Sequence, residues 1–394
     1  MLPNQPSKAS TSPTISPRIK GWCPGAWRPM ATGDGLLVRV RPPMGQLSRQ
    51  QMLALCEAAE TFGSGLIELT SRANFQLRGV SDASWPPLMA FLFEHQLVSS
   101  DPEAERQPQL LLAPEWQAGD DSPTIASRLQ ARGRELAAMP GKVGIAIDAG
   151  KVPVLSDSAA DFRVERAING GLLVRADGYA LGTAVSGVAA AVEQLIRLTH
   201  WFVESGGWEA GRMRRHKAPL PEWAPANTAP AARGAKLALG NHPAGQVVGL
   251  PFGRASSAVL RELVAPTTAT AVQVTPWRRL LIKGVAGPAG DGLIRHNSDP
   301  RLSIDACPGA PYCEQASVAT QPLAKQLSGL KNRSVHISGC TKGCARRAPA
   351  DVCLVGEGGR FNLIVNGAAD STPVRTDLTE REALDVVSKL SESS

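Results

Sequence analysis

The sequence lacks the patterns that mark membrane, nucleic-acid and dinucleotide binding. No stretch approaches the roughly 18 apolar residues that a membrane-spanning helix needs. No helix-turn-helix or ribonucleoprotein pattern is present and the arginines are scattered, so a typical nucleic-acid-binding module is excluded. Gly356, Gly358 and Gly359 lead into another predicted strand and not into a helix, so they form a hairpin and not a dinucleotide-binding turn.

The amino terminus lacks the apolar segment of a secretion signal. Residues 1–20 are rich in Ser, Pro and Lys, and we expect them to be a disordered tail. The seven cysteines are odd in number and clustered, which argues against a disulfide framework. We therefore expect a cytoplasmic protein.

The composition is otherwise that of a globular protein with an excess of arginine. Apolar residues make up 43% and charged residues 20% of the 394 positions. The net charge is +7, and arginine outnumbers lysine 31 to 11. Because arginine binds carboxylates and phosphates through two parallel hydrogen bonds, the composition favours an anionic ligand, with a merely basic surface as the alternative.

An internal repeat organises the chain. Residues 65–80 are GLIELTSRANFQLRGV and residues 270–285 are TAVQVTPWRRLLIKGV, and the two segments align without a gap. Each predicts a strand, a polar turn and a second strand, after a strand and a helix. The other corresponding predictions are strands at 36–41 and 246–250, helices from Ser48 and at 255–264, helices at 124–138 and 315–327, strands at 143–147 and 334–337, and Gly-Gly hairpins at 168–178 and 356–367.

A segment rich in Pro and Ala, residues 218–238, separates the two halves and has the composition of a semi-rigid linker. The sequence thus predicts a duplicated α+β fold, and since the duplication supplies its own pseudo-dimer, we expect a monomer. The predicted segments are the tail 1–20, parts 21–100 and 101–217, the linker 218–238, and parts 239–290 and 291–394.

Four cysteines form two pairs in the last part. Cys307 and Cys313 enclose five residues, whereas Cys340 and Cys344 enclose three. Four thiolates suit a [4Fe–4S] cluster or zinc. The first loop is wider than a zinc knuckle, and a Gly precedes each Cys of the second pair, which favours a cluster over the alternatives of zinc or unligated thiols.

Polar side chains alternate along the first repeat copy. On one strand they would share a face, and an internal polar face needs polar partners, which predicts a cavity for a polar ligand. A solvated sheet face is the alternative. The candidate binding residues are Arg72, Asn74, Gln76 and Arg78, with Arg278, Arg279 and Lys283 in the second copy.

The cysteine spacing and the duplication resemble the sirohaem sulfite and nitrite reductases. The run from Thr70 is also similar to their T-x-R-x-N-x-Q-x-R-G strand. The resemblance implies two ferredoxin-like half domains and two α/β domains of the type that binds cluster or tetrapyrrole, related by pseudo-two-fold symmetry. It also implies that the last cysteine, Cys344, bridges the cluster and a sirohaem iron.

Within that superfamily, the precorrin-3B synthases of aerobic cobalamin biosynthesis are more similar. The opening Trp22-Cys23-Pro24-Gly25 and the run GCTKGCA from Gly339 resemble that branch. Gly144 stands where the reductases have the second lysine of a K-x-K run, which leaves Lys142 alone. The loss puts reduction of a small oxyanion in doubt, since paired cations would bind and protonate it.

The branch implies an O₂-dependent monooxygenase acting on precorrin-3A. It would place a hydroxyl group at C20 and close a γ-lactone from the ring A acetate, with electrons from an external reductase or ferredoxin and ultimately NAD(P)H. The candidate residues above, together with Lys142, would bind the tetrapyrrole carboxylates. No catalytic residue is assigned.

Members of this branch are associated with a mononuclear non-haem iron as well as the [4Fe–4S] cluster. The common iron triad uses two His and a carboxylate, yet none of the six His forms an H-x-D/E pair. His336, four residues before Cys340, is a candidate iron ligand or supporting residue, with a buried structural role as the alternative.

Three other functions compete with this interpretation. One is a sulfite or nitrite reductase that depends on sirohaem and a [4Fe–4S] cluster. Another is a non-enzymatic iron–sulfur electron-transfer or tetrapyrrole-binding protein, against which the polar strand argues. The third, a zinc-stabilised structural protein, would be colourless.

Overall fold

The computed structural model describes residues 22–285, 291–327 and 333–392. The predicted tail, residues 1–20, lies outside the described residues. The chain divides into a larger unit, Trp22–Ile304, and a smaller unit, Asp305–Ser394. This division is coarser than the predicted segments, whose boundaries stay predictions.

The larger unit begins with a ferredoxin-like arrangement of strands and helices. The Ser48 hydroxyl accepts the Gln51 amide at 3.1 Å and the Gln51 side chain accepts the Ser48 amide at 3.0 Å. This capping box starts the first helix where the sequence predicted it. The elements are β1 (Met30–Thr32), β2 (Gly35–Val40), β3 (Gln46–Ser48), α1 (Arg49–Phe62), β4 (Leu66–Leu69), β5 (Phe75–Val80) and α2 (Trp85–Glu94).

An α/β part with a five-stranded sheet follows. Strands β6, β7 and β8 are parallel, β9 and β10 are antiparallel, and the strand order is β10-β9-β8-β7-β6. The elements are β6 (Gln109–Leu112), α3 (Asp121–Ala131), β7 (Gly144–Asp148), β8 (Phe162–Arg166), β9 (Leu172–Ala176), β10 (Thr183–Val185), α4 (Val188–Phe202) and α5 (Trp208–Ala210). The Gly-Gly turn of the hairpin predicted at 168–178 joins β8 to β9, but β8 lies before the predicted range.

The predicted linker lies along this part of the larger unit. The Ala231 amide donates to the carbonyl of Arg166 at 2.8 Å, and the Gly234 amide donates to the carbonyl of Pro153 at 2.7 Å. These bonds hold much of the segment 218–238 against the sheet and its loops.

The second ferredoxin-like part repeats the first. Its elements are β11 (Gly240–His242), β12 (Gly245–Gly249), β13 (Arg254–Ser256), α6 (Ser257–Val264), β14 (Ala271–Val274) and β15 (Arg279–Lys283). Ser256 caps α6 as Ser48 caps α1, accepting the Val259 amide at 3.3 Å. The sequence repeat therefore corresponds to a structural repeat.

The two ferredoxin-like sheets exchange their edge strands. Strand β13 of the second copy pairs with β4 of the first, and β3 of the first copy pairs with β14 of the second. The resulting orders are β1-β2-β5-β4-β13 and β11-β12-β15-β14-β3. The exchange covers an edge of each sheet and joins the two copies through backbone hydrogen bonds.

The smaller unit is built on a sheet of order β16-β17-β18-β19-β20, in which β17 and β18 are parallel. Gly358 and Gly359 turn the chain between β18 and β19, as the hairpin prediction required. The elements are β16 (Ile304–Ala306), α7 (Gln321–Gln326), β17 (Val335–Ser338), β18 (Ala350–Glu357), β19 (Arg360–Gly367), β20 (Arg375–Leu378) and α8 (Glu380–Glu392).

Three local predictions were wrong. The helix predicted at 124–138 is α3, which begins earlier, at Asp121, and ends at Ala131. The helix predicted at 315–327 is reduced to α7, because the Ala316 and Ser317 amides donate to the carbonyls of Cys313 and Gly339 instead of forming a helix. The predicted polar strand begins only at Phe75, because Ala73 has a φ of 54°. The α+β class with two ferredoxin-like halves is confirmed.

Candidate functional site

A repeated turn sets the direction of the first candidate arginine. Thr70 Oγ1 accepts the amides of Arg72 at 3.2 Å and Asn74 at 3.1 Å. In the second copy, Thr275 Oγ1 accepts the amides of Trp277 and Arg279, both at 3.3 Å. A threonine thus fixes a tight turn before β5 and before β15, and the first turn carries Arg72 and Asn74.

Three predicted residues meet around Gln109 at the start of β6. Arg72 Nη2 donates to the Lys142 carbonyl at 2.6 Å, so Lys142 takes part through its backbone. The Asn74 and Gln109 side chains donate to each other at 3.0 and 2.8 Å, and Gln109 Nε2 also donates to the Arg72 carbonyl at 2.5 Å. Gln109 was not predicted from the sequence, although its position just after Pro108 at the start of a strand is a visible signal.

Gln76 and Arg78 belong to a separate, buried network. Arg78 donates to Asp34 at 2.6 and 3.1 Å and to Glu68 at 3.3 Å, while its side chain is only 2% exposed. Gln76 accepts from Arg39 at 2.7 Å and donates to Glu68 at 3.1 Å. These residues have partners within the protein, and their role toward a ligand stays a prediction.

The second-copy residues form another group. Lys283 Nζ donates to Gln46 Oε1 at 2.7 Å and lies 4.4 Å from the centre of a Trp116 ring. Arg279 Nη1 donates to the carbonyl of Leu237. Burial lowers the pKa of both Lys283 and Arg279. The structure thus divides the predicted binding residues into groups with different partners.

The side chain of Arg278 lies beside the turn before β13. Its Cγ and Cδ atoms are 3.2 Å from the position that a Cβ on Gly253 would take. Its backbone carbonyl accepts the Leu250 amide at 2.9 Å. Arg278 itself has a φ of 60°, equivalent to that of Ala73 in the first copy.

A cavity of about 610 Å³ opens beside Arg72 in the larger unit. Its volume lies in the range of sites for sizeable small molecules. Its lining combines indole rings with guanidinium groups, and Arg28 lies 4.1 Å from the centre of the Trp22 ring. The aromatic and cationic lining residues are Trp22, Trp27, Trp208, Arg28, Arg41, Arg72 and Arg106.

The acidic residue in this lining is engaged by backbone groups. Glu105 accepts the amides of Ala26 at 2.8 Å and Trp27 at 3.2 Å, and its own carbonyl accepts Nη1 of Arg41 at 3.0 Å. The buried Nε of Arg41 has no hydrogen-bond partner within the part of the chain that the structure describes. The cavity therefore favours an anion over a cation.

Cys23 lines the same cavity, next to several arginines. Burial lowers the pKa of Arg39 to about 10, and the Cys23 thiol opposes that shift while Arg41 adds to it. Burial also lowers the pKa of Arg72, again opposed by Cys23. The guanidinium groups are close enough to repel one another, so a bound anion would stabilise them together.

A neighbouring cavity of about 630 Å³ shares part of its wall with the first one. Arg41, Gln107, Pro108 and Gln109 line both. The rest of the second cavity is largely aliphatic, with Leu110, Leu129 and Leu136 among its lining residues.

The four paired cysteines all lie in the smaller unit, at the ends of neighbouring strands. Cys307 directly follows β16, and Cys340 and Cys344 follow β17. The Gly339 amide donates to Cys307 Sγ at 3.2 Å. Gly309 has a φ of 69°, and a Cβ there would lie 2.5 Å from Thr320 Oγ1, so only glycine fits this turn between Cys307 and Cys313.

The thiols influence one another. Burial raises the pKa of Cys307, and the Cys344 and Cys313 thiols raise it further. The Cys344 side chain reaches solvent, but protein atoms still desolvate its thiol enough to raise the pKa, as do Cys340 and Cys313. The four sulfurs therefore lie in one neighbourhood.

The donor set consists of four cysteine thiols, whose sulfur atoms suit a [4Fe–4S] cluster or zinc. Within the described ranges, no three His, Cys, Asp or Glu side chains are grouped closely enough for one metal ion. The Gly339 amide directed at Cys307 Sγ is the kind of contact that such sulfurs receive.

His336 is fully buried on β17, behind the cysteine turn. Its Nδ1 lies 3.5 Å from Cys353 Sγ, and its Cε1 lies 3.6 Å from the position that a Cβ on Gly343 would take. It thus packs beneath the turn that carries Cys340 and Cys344, and its role toward iron stays a prediction. Cys56 and Cys353, in apolar runs, are fully buried, and burial raises the pKa of each to about 12.

None of the helices among the described residues is both long and apolar enough to cross a membrane.

Comparisons with known proteins place the chain in a family. A model of the nitrite/sulfite reductase ferredoxin-like half domain matches residues 28–94. The solved structure of the NirA protein of Mycobacterium tuberculosis has a TM-score of 0.56 and 18% identity, covering 91% of this chain and 80% of that one. This likeness shows the fold.

The sequence relatives are named as enzymes. A ferredoxin–nitrite reductase from Synechococcus elongatus is 26% identical over 86% of this chain and 79% of its own length. A precorrin-3B synthase from a Sinorhizobium species is 30% identical over 91% of this chain and 86% of its own length. With the nitrite/sulfite reductase fold and this near full-length relative, the chain belongs to the precorrin-3B synthase family.

Proposed function

We propose that this protein is a precorrin-3B synthase, a monooxygenase that acts on precorrin-3A. One oxygen atom of O₂ enters the substrate as a hydroxyl group at C20, and the ring A acetate closes a γ-lactone. The other oxygen atom leaves as water, with two electrons and protons supplied through an external reductase or ferredoxin. The supporting observation is the cavity beside Arg72, which combines three tryptophans with four arginines.

A planar ring carrying many carboxylates matches this lining. Flat indole rings bury a macrocycle face, and guanidinium groups bind carboxylates through two parallel hydrogen bonds. Arg72 is held by the Lys142 carbonyl, so its direction is fixed before a ligand binds. Fixed arginines would orient the ring and exclude water from its faces, so that one carbon and one acetate face the reacting oxygen.

We infer that Cys307, Cys313, Cys340 and Cys344 hold a [4Fe–4S] cluster, which would supply one-electron transfer. The resemblance also implies a mononuclear non-haem iron, but no group of three ligand side chains for one ion is present among the described residues, so no step is assigned to that iron. The cysteine residues would hold the cluster through their thiolates, and the Gly339 amide would bond a ligand sulfur. His336 would support the turn from behind.

The alternative is a sulfite or nitrite reductase carrying sirohaem, favoured by the similarity to the cyanobacterial nitrite reductase. Gly144 weighs against it. The Cβ of a side chain at this position would lie 3.9 Å from Arg72 Nη1, beside the cavity, but glycine supplies no cation there. Reduction of a small oxyanion would then depend on fewer cationic groups.

Anaerobic purification with an absorption spectrum and analysis of iron and acid-labile sulfide tests the proposal. We expect a broad absorbance shoulder and about equal amounts of cluster iron and sulfide, and iron in excess of sulfide would reveal a mononuclear site. An intense Soret band with extractable sirohaem would favour the reductase instead. Zinc without iron would contradict both.

A further inference from the structure

A second arginine, Arg212, lies near Arg72 on the segment that follows α5. Gly211, with a φ of 68°, ends α5 and turns the chain. Arg212 and Met213 follow, and Met213 is 1% exposed, which anchors the segment in the core of the α/β part. Three residues before the turn, Trp208 lines the cavity, so this segment lies at its edge.

A fully buried carboxylate fixes the arginine. Asp161 Oδ1 accepts Nε of Arg212 at 2.8 Å and the Met213 amide at 2.9 Å. Asp161 Oδ2 accepts the amide of Gly144 at 3.1 Å. Asp161 itself is 0% exposed, so its charge is balanced by these donors and not by water.

This arrangement leaves the end of the guanidinium group open. The bond to Asp161 uses Nε, and Nη1 and Nη2 of Arg212 have no hydrogen-bond partner in the residues for which the structure gives side chains. The Arg212 side chain is 26% exposed. Asp161 therefore holds one edge of the group, while two adjacent N–H donors remain in the geometry that a carboxylate accepts.

Arg212 is not itself among the lining residues of the cavity, but Gly144 connects its carboxylate partner, Asp161, to the lining residue Arg72. Gly144, which donates to Asp161, is also the residue whose Cβ position is 3.9 Å from Arg72 Nη1. Burial and then Cys23 have the largest effects on the pKa of Arg72. Arg212 also lowers this pKa and Asp161 raises it. Both arginines are therefore in one neighbourhood, and each is fixed by a different part of the protein.

We propose that Arg212, oriented by Asp161, is a substrate-positioning residue that binds a carboxylate of the tetrapyrrole next to Arg72. The inference rests on the proposed function, and it adds a residue that neither the repeat nor the cysteine motif contains. Two arginines fixed side by side would bind neighbouring acidic side chains of the ring and so select its orientation. The same chemistry could come from a small free anion, which the experiment distinguishes.

The test is binding of uroporphyrin III, a tetrapyrrole octacarboxylate, to the full-length protein by quenching of tryptophan fluorescence. Arg212→Gln should weaken binding by about 10- to 100-fold, the effect of losing one charge-assisted carboxylate pair. Arg233→Gln is the matched control, because Arg233 pairs with Asp157 at 2.9 Å where both side chains are well exposed. It should bind as the wild type does.

Arg212→Lys separates binding from structural support. Lysine keeps the charge beside Asp161 but loses the pair of N–H donors, so it should restore thermal stability while binding remains several-fold weak. The dependence of binding on salt should also be shallower in Arg212→Gln than in the wild type. If lysine restored binding fully, Arg212 would be only a counter-charge to Asp161, and the inference would be wrong.

The remaining outcomes are distinct. If the wild type and Arg212→Gln bind uroporphyrin equally, this inference fails and the proposed function stands. If the wild type binds no porphyrin, both fail. If inorganic phosphate binds in calorimetry and requires Arg212 while porphyrin binding does not, the group serves a free anion and the inference is overturned.

Discussion

Glu68 in β4 accepts two hydrogen bonds from Arg254 in β13, at 2.5 and 2.9 Å from Nη2 and Nε. The two residues are paired across the exchanged strands, one from each sequence repeat. Glu68 also accepts from Arg78. One buried carboxylate thus balances two guanidinium groups and joins the two ferredoxin-like copies.

Glu68→Ala should therefore destabilise the larger unit by about 3–5 kcal/mol, because it leaves Arg78 and Arg254 buried without this carboxylate. Urea unfolding followed by fluorescence would measure the loss. Asp157→Ala, in the exposed pair with Arg233, should cost about 0–1 kcal/mol. Equal losses in the two variants would mean that the network does not stabilise the exchange.

Cys344→Ser should remove most of the iron and acid-labile sulfide from the purified protein, because three thiolates hold a four-iron cluster poorly. Cys56→Ala is the control, since Cys56 is buried in the helix α1 far along the chain from the cysteine pairs. It should keep full cluster content. Retention of cluster by Cys344→Ser would exclude that thiol as a ligand.

Gly309→Ala should lower both stability and cluster content. The left-handed φ costs a side chain about 1–2 kcal/mol, and the added Cβ would lie 2.7 Å from the Thr320 backbone nitrogen, which cannot move freely. Gly150→Ala is a suitable control, because its nearest neighbour would be the Val152 carbonyl at 4.0 Å and its φ is ordinary. Thermal unfolding and sulfide analysis of both variants would show the difference.

The buried carboxyl group of Asp148 should make the free energy of unfolding depend on pH. Burial raises its pKa to about 6, although the amides of Leu155 and Val154 donate to it at 2.6 and 2.7 Å. The folded state therefore holds a proton that the unfolded state releases between about pH 4 and pH 6. The contribution of Asp148 to the free energy of unfolding should fall as pH rises through that window and stay constant above it.

The size of this effect is at most about 3 kcal/mol. Asp148→Asn, which removes the charge, should be more stable than the wild type at pH 7 and should lose that advantage near pH 4. Urea unfolding at the two pH values measures both. A variant whose stability relative to the wild type does not change with pH would contradict the raised pKa.

Local patterns predicted much of the fold. Ser48 and the Gly-Gly turns mark element ends through short-range hydrogen bonds and backbone conformation, which a sequence displays directly. The repeat predicted two equivalent copies, and the threonines at 70 and 275 do form the same turn. The four thiols lie in one neighbourhood because the two cysteine pairs follow adjacent strands, β16 and β17.

Long-range pairing was not predictable in the same way. The exchanged strands β3 and β13 have three residues each, too few to show a periodic pattern, and their partners lie about 200 residues away along the chain. The alternation from Arg72 to Arg78 suggested one polar face. The left-handed turn at Ala73 instead separates the cavity residue Arg72 from the buried Arg78.

Gln109 and Arg212 show the same limit. Each is an ordinary polar residue in its local sequence, and its role comes from a partner on a different element. Gln109 is linked to Asn74, and Arg212 to Asp161. Local sequence patterns do not show these partners, because the fold brings them together from distant parts of the chain.

Oxygen-isotope labelling distinguishes a monooxygenase from a sulfite or nitrite reductase. The protein, purified without air and supplied with precorrin-3A, a reductant and an electron-transfer partner, is exposed to O₂ labelled with the heavy isotope, and the product is analysed by mass spectrometry. We expect one labelled oxygen atom in a hydroxylated lactone product, and no product without O₂. An unlabelled product or unchanged precorrin-3A, together with reduction of sulfite or nitrite by the same preparation, would contradict the monooxygenase proposal.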